Sequence, residues 1–443
     1  MKPDVIVVGA GAAGIIAAWR AASLGAKVVL LEKTARIGTK ILISGGGKCN
    51  ICHDGPIETV LAPFRQNEAR FIRPSVYRFP SSSIVPLLTE RGIEVYTRPD
   101  GRIFPVHQTA KDVVAVLKQL LDEAGVAVYL NSPVEEILCE EGTVTGVRIG
   151  RATEVTRRST VEKSQYGAKA LLSGALEIVD HRGSIGLTEL FAPKIVVCAG
   201  GSSYPNSGTT GDGWKWLRGL GHGIVKTRAA LAPIYLAGPQ VGLSGVALRN
   251  IVLKARTTKE VARWEGDMLF THQGISGPCA LGISRFVAEA LENSPVRLEV
   301  DLASKTTIED LSTQLLSQNP KSTVSMFLSM FFPESILAPF TDQGQLDPKV
   351  TFGQLDRKSR NRLALQLKAW TIGDVRAVPL EKGEVVAGGV SLDEVDSKTM
   401  ESKLVSGLYL CGEVLDIAGP VGGYNLQAAF ATGFVAGESA SHG

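Results

Sequence analysis

Hydrophobic positions along the chain follow two different periods, and together they predict an α/β fold. Continuous apolar runs predict buried strands at 4–8, 27–31, 126–130, 144–149 and 195–198. Just before the third of these runs, residues 109–124 carry apolar side chains at helical spacing, namely Val113, Val116, Leu117, Leu120 and Leu121. Strands that alternate with helices in this way are typical of a Rossmann-like parallel sheet.

The middle of the chain has a different pattern. From 230 to 301, short strand-like runs separated by glycine and proline predict a small β-barrel. Helical spacing follows at 308–316, 324–332 and 360–370, and the α/β pattern returns at Val385. A polar, strand-prone stretch at 151–193, with alternation at 176–179, predicts an exposed hairpin. We therefore expect an α/β domain from 1–228 and 375–443, a barrel-like substrate domain at 229–304 and a helical insert at 305–374.

A dinucleotide fingerprint follows the first strand. Gly9, Gly11 and Gly14 form G-x-G-x-x-G, with Ala12 and Ala13 inside the motif, and Glu32 ends the second strand. The three glycines permit a tight turn, close approach of backbone to a pyrophosphate, and close packing of helix on sheet. The helix dipole favours the phosphates, and an acid at this spacing accepts hydrogen bonds from ribose hydroxyls. These features predict an adenine dinucleotide that lacks a 2′-phosphate.

Composition excludes several classes of protein. The chain has 443 residues and a net charge of +3, with no long run of like charges. We therefore expect no nucleic-acid partner. No stretch of eighteen uncharged apolar residues occurs, so we expect no membrane span. Six scattered cysteines suit a reducing cytoplasm, where we expect the protein to be located.

Two further glycine-rich segments carry candidate chemistry. Lys40 and Ser44 precede the triple glycine 45–47, whose backbone amides can face an anion or a planar ring. Near the other end, an apolar strand leads to Gly412 and Glu413, and a glycine-rich turn opens a final helix at 424. The amino terminus of that helix can stabilise negative charge at the N1–C2=O edge of a reduced flavin. Fingerprint and closing segment together predict one bound FAD.

With these segments in view, the chain resembles the bacterial FAD-dependent oxidoreductases that include aminoacetone oxidase and a flavin reductase of bile-acid metabolism. The resemblance is carried by the fingerprint and by the segments 40–50, 101–105, 197–213, 270–278, 387–395 and 407–429. It implies a glutathione-reductase-like FAD-binding domain interrupted by a β-rich insert and a helical insert. It also implies noncovalent FAD.

The resemblance and the motifs define the expected site. The residues expected to bind the cofactor are Gly9, Gly11, Ala12, Ala13, Gly14, Glu32, Lys33, Lys40, Ser44, Gly45, Gly46, Gly47, Cys49, Asn50, Val134, Ala199, Gly200, Gly201, Gly412, Glu413, Gly423, Asn425 and Leu426. The candidate catalytic residues are His272, Tyr204 and Tyr424, which lie in motifs expected to converge on the flavin. Of these, a histidine suits general acid or base catalysis at neutral pH.

The expected function is hydride transfer at flavin N5 with a small-molecule substrate, in an amine oxidase-like reaction. One alternative is NAD(P)H-dependent reduction of an unsaturated substrate. Because no second complete fingerprint follows the first, NAD(P)H would bind only transiently. A second alternative is a thiol-disulfide reductase using Cys49 and Cys52, although these cysteines lack the C-x-x-x-x-C spacing of such enzymes. The remaining alternatives are a non-catalytic flavin-binding regulator and a tRNA-modifying flavoprotein. No metal site is expected, and the oligomeric state is left open.

Overall fold

The computed structural model describes residues 2–150, 188–238 and 242–442. These residues form two compact units, one from Met1–Thr227 with Val385–Gly443 and one from Arg228–Glu384. The alternation expected at 176–179, within the predicted hairpin, lies outside the described residues.

A five-stranded parallel sheet forms the centre of the first unit. With strands numbered in chain order, its spatial order is β19 (Leu408–Leu410), β10 (Lys194–Val197), β1 (Val5–Val8), β2 (Val28–Leu31) and β6 (Ala127–Tyr129). Every residue of β1, β2 and β19 is buried, as expected for a parallel sheet. Val8 pairs with both Val197 and Leu31, so the carboxyl ends of three strands meet at one edge. The predicted Rossmann-like α/β class is confirmed.

Seven helices accompany this sheet in the described part of the first unit: α1 (Ala12–Ser23), α2 (Ile57–Leu61), α3 (Gln66–Arg78), α4 (Ser81–Thr89), α5 (Ala110–Glu123), α6 (Asp212–Gly219) and α12 (Tyr424–Ser441). The predicted helix at 109–124 is confirmed as α5. It begins where its sequence supplies a capping box: the Thr109 hydroxyl accepts from the Lys111 amide, and the Asp112 carboxylate accepts from the Thr109 amide at 2.7 Å.

Helices α1 and α12 lie against each other through small residues. Gly433 and Gly437 of α12 lie directly on the backbone of Ala13 and Ala17 of α1, so the paired positions increase together along both helices. The helices are therefore parallel, with their amino termini at the same end. Tyr424, the first residue of α12, precedes Gly433 by nine residues. Helix α12 thus extends beyond Ala13 by about 14 Å.

Three smaller sheets complete the first unit. The first is antiparallel and contains β3 (Cys52–His53), β5 (Arg102–Pro105) and β4 (Val95–Thr97) in that order. The second is antiparallel and contains β7 (Val134–Glu140), β8 (Thr143–Ile149) and β9 (Thr188–Phe191). The third pairs β11 (Ile224–Ala230) with β18 (Val385–Val390).

The second unit is a closed antiparallel barrel with helices. In spatial order its strands are β12 (Ile234–Leu236), β15 (Gly274–Ser276), β14 (Glu260–Thr271), β13 (Ala247–Arg256), β16 (Arg297–Asp301) and β17 (Trp370–Ala377). Its helices are α7 (Pro278–Leu291), α8 (Ile308–Leu316), α9 (Val324–Leu328), α10 (Leu337–Gly344) and α11 (Arg357–Lys368). The Trp370 ring contacts Phe270 of the barrel and Phe340 of α10, so barrel and helices share one core.

The division between barrel and helices differs from the sequence expectation. Strand β17 follows α11 in the chain, yet it pairs with β16 and β12 and closes the barrel. Helices α8 to α11 are therefore inserted between the last two barrel strands. Residues 375–384, expected in the FAD-binding domain, lie in the second unit. Sequence spacing missed this because β17 is placed by long-range pairing with β16 and β12, for example of Arg297 with Asp374 and of Tyr235 with Ala377.

Candidate functional site

The fingerprint turn forms an open cradle at the amino terminus of α1. Gly9 has φ of +99°, and a Cβ there would lie 2.6 Å from the Cys198 carbonyl oxygen. A Cβ at Gly14 would lie 1.8 Å from the Gly9 carbonyl oxygen, so both positions require glycine. At Gly11, by contrast, a Cβ would have no heavy atom within 4 Å, and no side chain caps the helix. The start of α1 thus has open space beside Gly11 and no side-chain cap, which suits a pyrophosphate.

Glu32 is held at the end of β2 by two backbone amides. One carboxylate oxygen accepts from Ala10 in the fingerprint turn and the other from Thr34, each at 2.8 Å. The Glu32 carbonyl also accepts from the Ser132 amide at 2.8 Å, which brings the segment before Val134 beside this turn. The carboxylate is therefore oriented close to the cradle, and its remaining lone pairs suit ribose hydroxyls.

Lys33 is engaged by the segment that follows β10. Its ammonium lies 2.6 Å from both the Thr210 hydroxyl and the Asp212 carboxylate. A Cβ at Gly208, in the same segment, would lie 2.7 Å from the Thr34 methyl group. Lys33 therefore links the turn after β2 to the 199–213 segment by hydrogen bonds. Its expected contact with the cofactor stays a prediction.

Lys40 and Glu413 form an ion pair at the meeting point of four segments. The Lys40 ammonium lies 2.7 and 2.9 Å from the two Glu413 oxygens and 2.9 Å from the Ser203 hydroxyl. Glu413 also accepts from the amides of Val386 at 3.0 Å and Gly201 at 3.4 Å. The pair thus joins the triple-glycine segment, the turn after β10, β18 and the closing segment.

This cluster lies beside the fingerprint cradle. A Cβ at Gly412 would lie 2.8 Å from the Ala13 Cβ at the start of α1, and one at Gly200 would lie 3.8 Å from a Glu413 oxygen. Ala199 precedes Gly200 in the same turn. The structure therefore brings together both ends of the chain and the 199–201 turn, as the motifs led us to expect of residues around one cofactor.

The triple glycine adopts backbone conformations that disfavour other residues. Gly45, Gly46 and Gly47 have φ of +56°, +67° and +87°. The Ser44 hydroxyl donates to the Ile41 carbonyl at 2.7 Å, so its proton is used in a hydrogen bond within the loop and not in one to a ligand. The loop leads into Cys49, which is buried and has φ of +61°. Because glycine has no Cβ, a ligand can approach the backbone of this loop closely.

Asn50 follows this loop and supplies an unsatisfied acceptor. Its side-chain oxygen is buried and has no hydrogen-bond partner among the residues that the structure describes. A Cβ at Gly423, just before α12, would lie 2.9 Å from that oxygen. Buried acceptors usually have a partner, so this atom is suited to a donor such as a flavin N–H or a ribityl hydroxyl. The open cradle at Gly11 and this orphaned oxygen together fit FAD.

The turn before α12 is fastened by Asn425. Its side-chain oxygen accepts from the Gly419 amide and its nitrogen donates to the Gly419 carbonyl, both at 2.8 Å. Asn425 therefore shapes the loop that presents the helix terminus. Leu426 is half-buried in the first turn of the helix. Direct cofactor contacts by these two residues stay predictions.

Tyr424 lies beside a histidine that the expected site did not include. The Tyr424 hydroxyl lies 3.2 Å from His53 Nε2, and the two rings stack at 4.4 Å between centroids. Burial, with a contribution from Asp100, raises the pKa of Tyr424. His53 directly follows Cys52 in the chain. The sequence hypothesis for this segment concerned the two cysteines and did not assign a role to His53.

Cys49 and Cys52 are poor redox groups in this environment. Both side chains are fully buried. Burial raises the pKa of Cys49 to about 12, and burial, Asp54 and Cys49 raise the pKa of Cys52. Since the thiolate is the reactive form, the structure supplies a chemical reason against the dithiol hypothesis. Within the described ranges, no group of three or more His, Cys, Asp or Glu side chains is arranged to hold a metal ion.

The other two candidate catalytic residues lie in different places. Tyr204, in the first unit, follows Ser203, is 39% exposed and has φ of +53°. Such a conformation is uncommon for an aromatic residue and suggests a positional constraint. His272 is exposed in the turn between β14 and β15 of the second unit. Their catalytic roles stay predictions.

Comparison of the sequence with models of known protein families identifies the family of this chain. The model for the HI0933-like protein Rossmann domain matches residues 3–171 and 172–439. The chain belongs to the HI0933-like family. It is therefore an FAD-dependent oxidoreductase, as the resemblance in the sequence implied. Among the described residues, no helix combines the length and apolar character needed to cross a membrane.

Three relatives match almost the entire chain. The ribosomal RNA dihydrouridine synthase of Haemophilus influenzae is 28% identical over 98% of both chains. That of Escherichia coli is 28% identical over 97% of this chain and 96% of its own. The 3-dehydro-bile acid delta(4,6)-reductase of Clostridium scindens is 28% identical over 98% of both chains.

Solved structures agree in fold at low sequence identity. A 3-ketosteroid delta1-dehydrogenase from Sterolibacterium denitrificans matches with a TM-score of 0.53 and 14% identity, over 99% of both chains. A quinol-fumarate reductase matches with a TM-score of 0.51 and 17% identity, over all of this chain and 71% of its own. These likenesses concern the fold alone.

Proposed function

We propose that this protein is an FAD-dependent reductase that saturates a carbon-carbon double bond conjugated to a carbonyl group, with NAD(P)H as the transient reductant. The observation that carries the proposal is that the three relatives matching almost the whole chain act on two different substrates, ribosomal RNA and a bile acid, yet share this reaction class. A dihydrouridine synthase saturates the uracil ring, and a delta(4,6)-reductase saturates a steroid ring system, as their names state. In the reduction that we propose, a hydride joins the β-carbon and a proton joins the α-carbon.

The residues described above supply the binding part of this activity. The amides at the start of α1 would hold the pyrophosphate, and Glu32, oriented by Ala10 and Thr34, would hold the adenosine ribose. Lys40 and Glu413 fix the segments around the cradle, and Asn50 supplies an acceptor next to the start of α12. When bound, FAD supplies the hydride to the substrate. The protein contributes orientation, proton supply and exclusion of water.

Two substrate classes are consistent with this chemistry. The net charge of +3 favours a small unsaturated carbonyl compound, because RNA-binding surfaces are usually strongly basic. Uracil within ribosomal RNA is the second class, favoured by the two dihydrouridine synthases among the relatives. Oxidation of a small amine, expected from the sequence, has no counterpart in the names of these three relatives.

Anaerobic rapid mixing tests the proposal. Purified holoprotein is mixed with NADH, with NADPH and with a panel of small amines, while the flavin absorbance is followed. We expect a reduced nicotinamide to bleach the flavin and amines to leave it oxidised. Bleaching by an amine but by neither nicotinamide would replace the proposal with an amine oxidase.

A second mixing step separates the substrate classes. The reduced holoprotein is mixed with cyclic enones, with 3-oxo-Δ4,6-steroids or with unmodified ribosomal RNA. Flavin reoxidation is recorded, and mass spectrometry detects the gain of two hydrogens in the product. We expect reoxidation by an enone or steroid. Reoxidation by RNA alone would assign the RNA substrate, and reoxidation by oxygen alone would contradict the proposed reaction.

A further inference from the structure

A buried histidine and tyrosine form a pair at the amino terminus of α12. His53 Nδ1 lies 3.0 Å from the Gly422 carbonyl oxygen, and the His53 amide donates to the Gln427 side-chain oxygen at 3.1 Å. Because a carbonyl oxygen only accepts, Nδ1 carries a proton. His53 Nε2 therefore faces the Tyr424 hydroxyl, 3.2 Å away. The imidazole is thus fixed in orientation, with its Nδ1 proton donated to the Gly422 carbonyl.

The surrounding residues leave this pair little freedom. A Cβ at Gly101 would lie 2.4 Å from His53 Nε2, and Gly101 has φ of +81°, so glycine is required there. The Phe64 ring packs edge-on against Tyr424 at 6.0 Å. The pair is therefore held in one arrangement by hydrogen bonds and by close packing.

The position of the pair relates it to the cofactor. Helix α12 runs parallel to α1 and extends about 14 Å beyond Ala13, where the pyrophosphate cradle lies. Tyr424 is at the end of this extension. Gly423, immediately before it, lies beside the orphaned side-chain oxygen of Asn50. The pair is therefore separated from the phosphate-binding end in the way that the ribityl chain separates a flavin ring from its pyrophosphate.

We propose that Tyr424 is the catalytic proton donor to the substrate α-carbon, and that His53 is the positioning residue that orients Tyr424 and restores its proton. The inference rests on the reduction described under Proposed function. It adds to that function a proton path made of two residues of this chain.

Reduction of the double bond adds one hydride and one proton. The hydride brings two electrons to the β-carbon, and the electron pair of the double bond takes the Tyr424 proton at the α-carbon. The O–H bond of Tyr424 breaks and a C–H bond forms. The resulting phenolate takes a proton from Nε2 of the imidazolium form of His53, and solvent then reprotonates the imidazole. NAD(P)H supplies the hydride equivalents, and water supplies the proton.

The protonation state of His53 decides whether Tyr424 can donate. A neutral His53 accepts the hydroxyl proton at Nε2 and directs it away from a substrate. A protonated His53 donates to the phenolic oxygen instead, which frees the hydroxyl proton for the α-carbon. Proton transfer from Tyr424 should therefore require a proton on His53 Nε2, and its rate should depend on pH.

Other charged and titratable groups also face this pair. Cys52 precedes His53 on strand β3, and Asp54 follows it in the chain. Strand β5 places Arg102 opposite His53, and Arg102 binds Asp100 at 2.5 Å. Asp100 and Arg102 compensate each other in charge.

Three variants test the proposal in the holoprotein. Tyr424→Phe removes the donor, and His53→Gln keeps a polar side chain that cannot exchange a proton. His222→Gln is the matched control, because His222 is also buried in the first unit and bonds through both ring nitrogens, to Glu394 at 3.0 Å and Ser402 at 2.9 Å. Bound FAD per chain is measured for every variant.

We expect Tyr424→Phe to slow flavin reoxidation by an enone at least about 100-fold, the usual effect of removing a general acid. His53→Gln should slow it less and flatten its pH profile. His222→Gln should keep the wild-type pH profile. Ultraviolet titration of tyrosinate, with Tyr424→Phe as reference, should show the ionisation of Tyr424 displaced in His53→Gln but unchanged in His222→Gln. FAD content should be unchanged in the first two variants.

Two results would overturn the assignment. If enones reoxidise Tyr424→Phe at the wild-type rate, Tyr424 is not the donor, although the proposed reduction stands. If His53→Gln keeps both the wild-type pH profile and the Tyr424 titration, His53 is only structural. A wild-type protein that oxidises amines and reduces no double bond contradicts the proposed function itself, and the proton-donor role falls with it.

Discussion

Gly433 of α12 lies against the carbonyl of Ala13 in α1, where a Cβ would be 2.3 Å from the carbonyl oxygen. The obstacle is helix backbone, which cannot move aside as a flexible side chain can. We expect Gly433→Ala to destabilise the protein by about 1 to 3 kcal/mol, the usual cost of overpacking. It should also weaken FAD binding, because α1 carries the fingerprint. Chemical denaturation and FAD titration measure both effects.

Gly219→Ala is the matched control for this change. Gly219 is also helical, at the end of α6, but a Cβ there would have no heavy atom within 4 Å. Alanine should leave the free energy of unfolding unchanged or raise it by up to about 1 kcal/mol. Equal destabilisation by the two substitutions would contradict the close approach of α1 and α12.

Glu32 is expected to determine the affinity for FAD. Glu32→Gln keeps the length of the side chain and one acceptor, but removes the charge that favours ribose hydroxyls. We expect a loss of about 1.5 to 3 kcal/mol in FAD binding, the range for a hydrogen bond to a charged group. Fluorescence titration of the apoprotein with FAD measures it.

Glu58→Gln serves as the control, since Glu58 lies exposed in α2 and pairs with Arg73 and Tyr77. It should bind FAD as the wild type does. Because Glu32 also accepts from Ala10 and Thr34, the unfolding temperature of apo Glu32→Gln is needed. Unchanged FAD affinity in a folded Glu32→Gln protein would remove Glu32 from the site.

Cys52 is expected to be dispensable for flavin reduction. Burial raises the pKa of this thiol, so it stays protonated at neutral pH and cannot act as a thiolate nucleophile. Cys52→Ser should keep most of the rate of flavin reduction. Alkylation of the native protein, followed by mass spectrometry, should modify the partly exposed Cys139 well before Cys49 or Cys52. A charge-transfer band that disappears in Cys52→Ser would instead support the dithiol mechanism.

Tyr409 is expected to make stability depend on alkaline pH. Burial, with Glu401 adding to it, raises the pKa of Tyr409 from the ordinary 10.0 to about 12. The neutral phenol is thus favoured in the folded state, and its contribution is complete below the unfolded pKa. As pH rises from about 10 toward 12, the unfolded chain ionises first and the contribution is lost. Denaturation at a series of pH values should show this decline, and Tyr409→Phe should reduce it.

The sequence alone determined those features that depend on residues close together in the chain. The fingerprint glycines, the acid after β2 and helix α5 were predicted because turn geometry, phosphate binding and helical periodicity depend on residues a few positions apart. The closing segment and the triple glycine were recognised for the same reason. The Rossmann-like fold class followed from their order along the chain.

Only the tertiary structure decided which distant residues meet. The Lys40–Glu413 ion pair joins residues near opposite ends of the chain, and sequence spacing gives no distance between them. His53 was passed over because the adjacent cysteines suggested redox chemistry, whereas burial of their thiols and the contact of His53 with Tyr424 depend on how α12 packs. The sixth barrel strand was missed likewise. Such contacts are fixed by long-range packing and strand pairing, which leave no local pattern in the sequence.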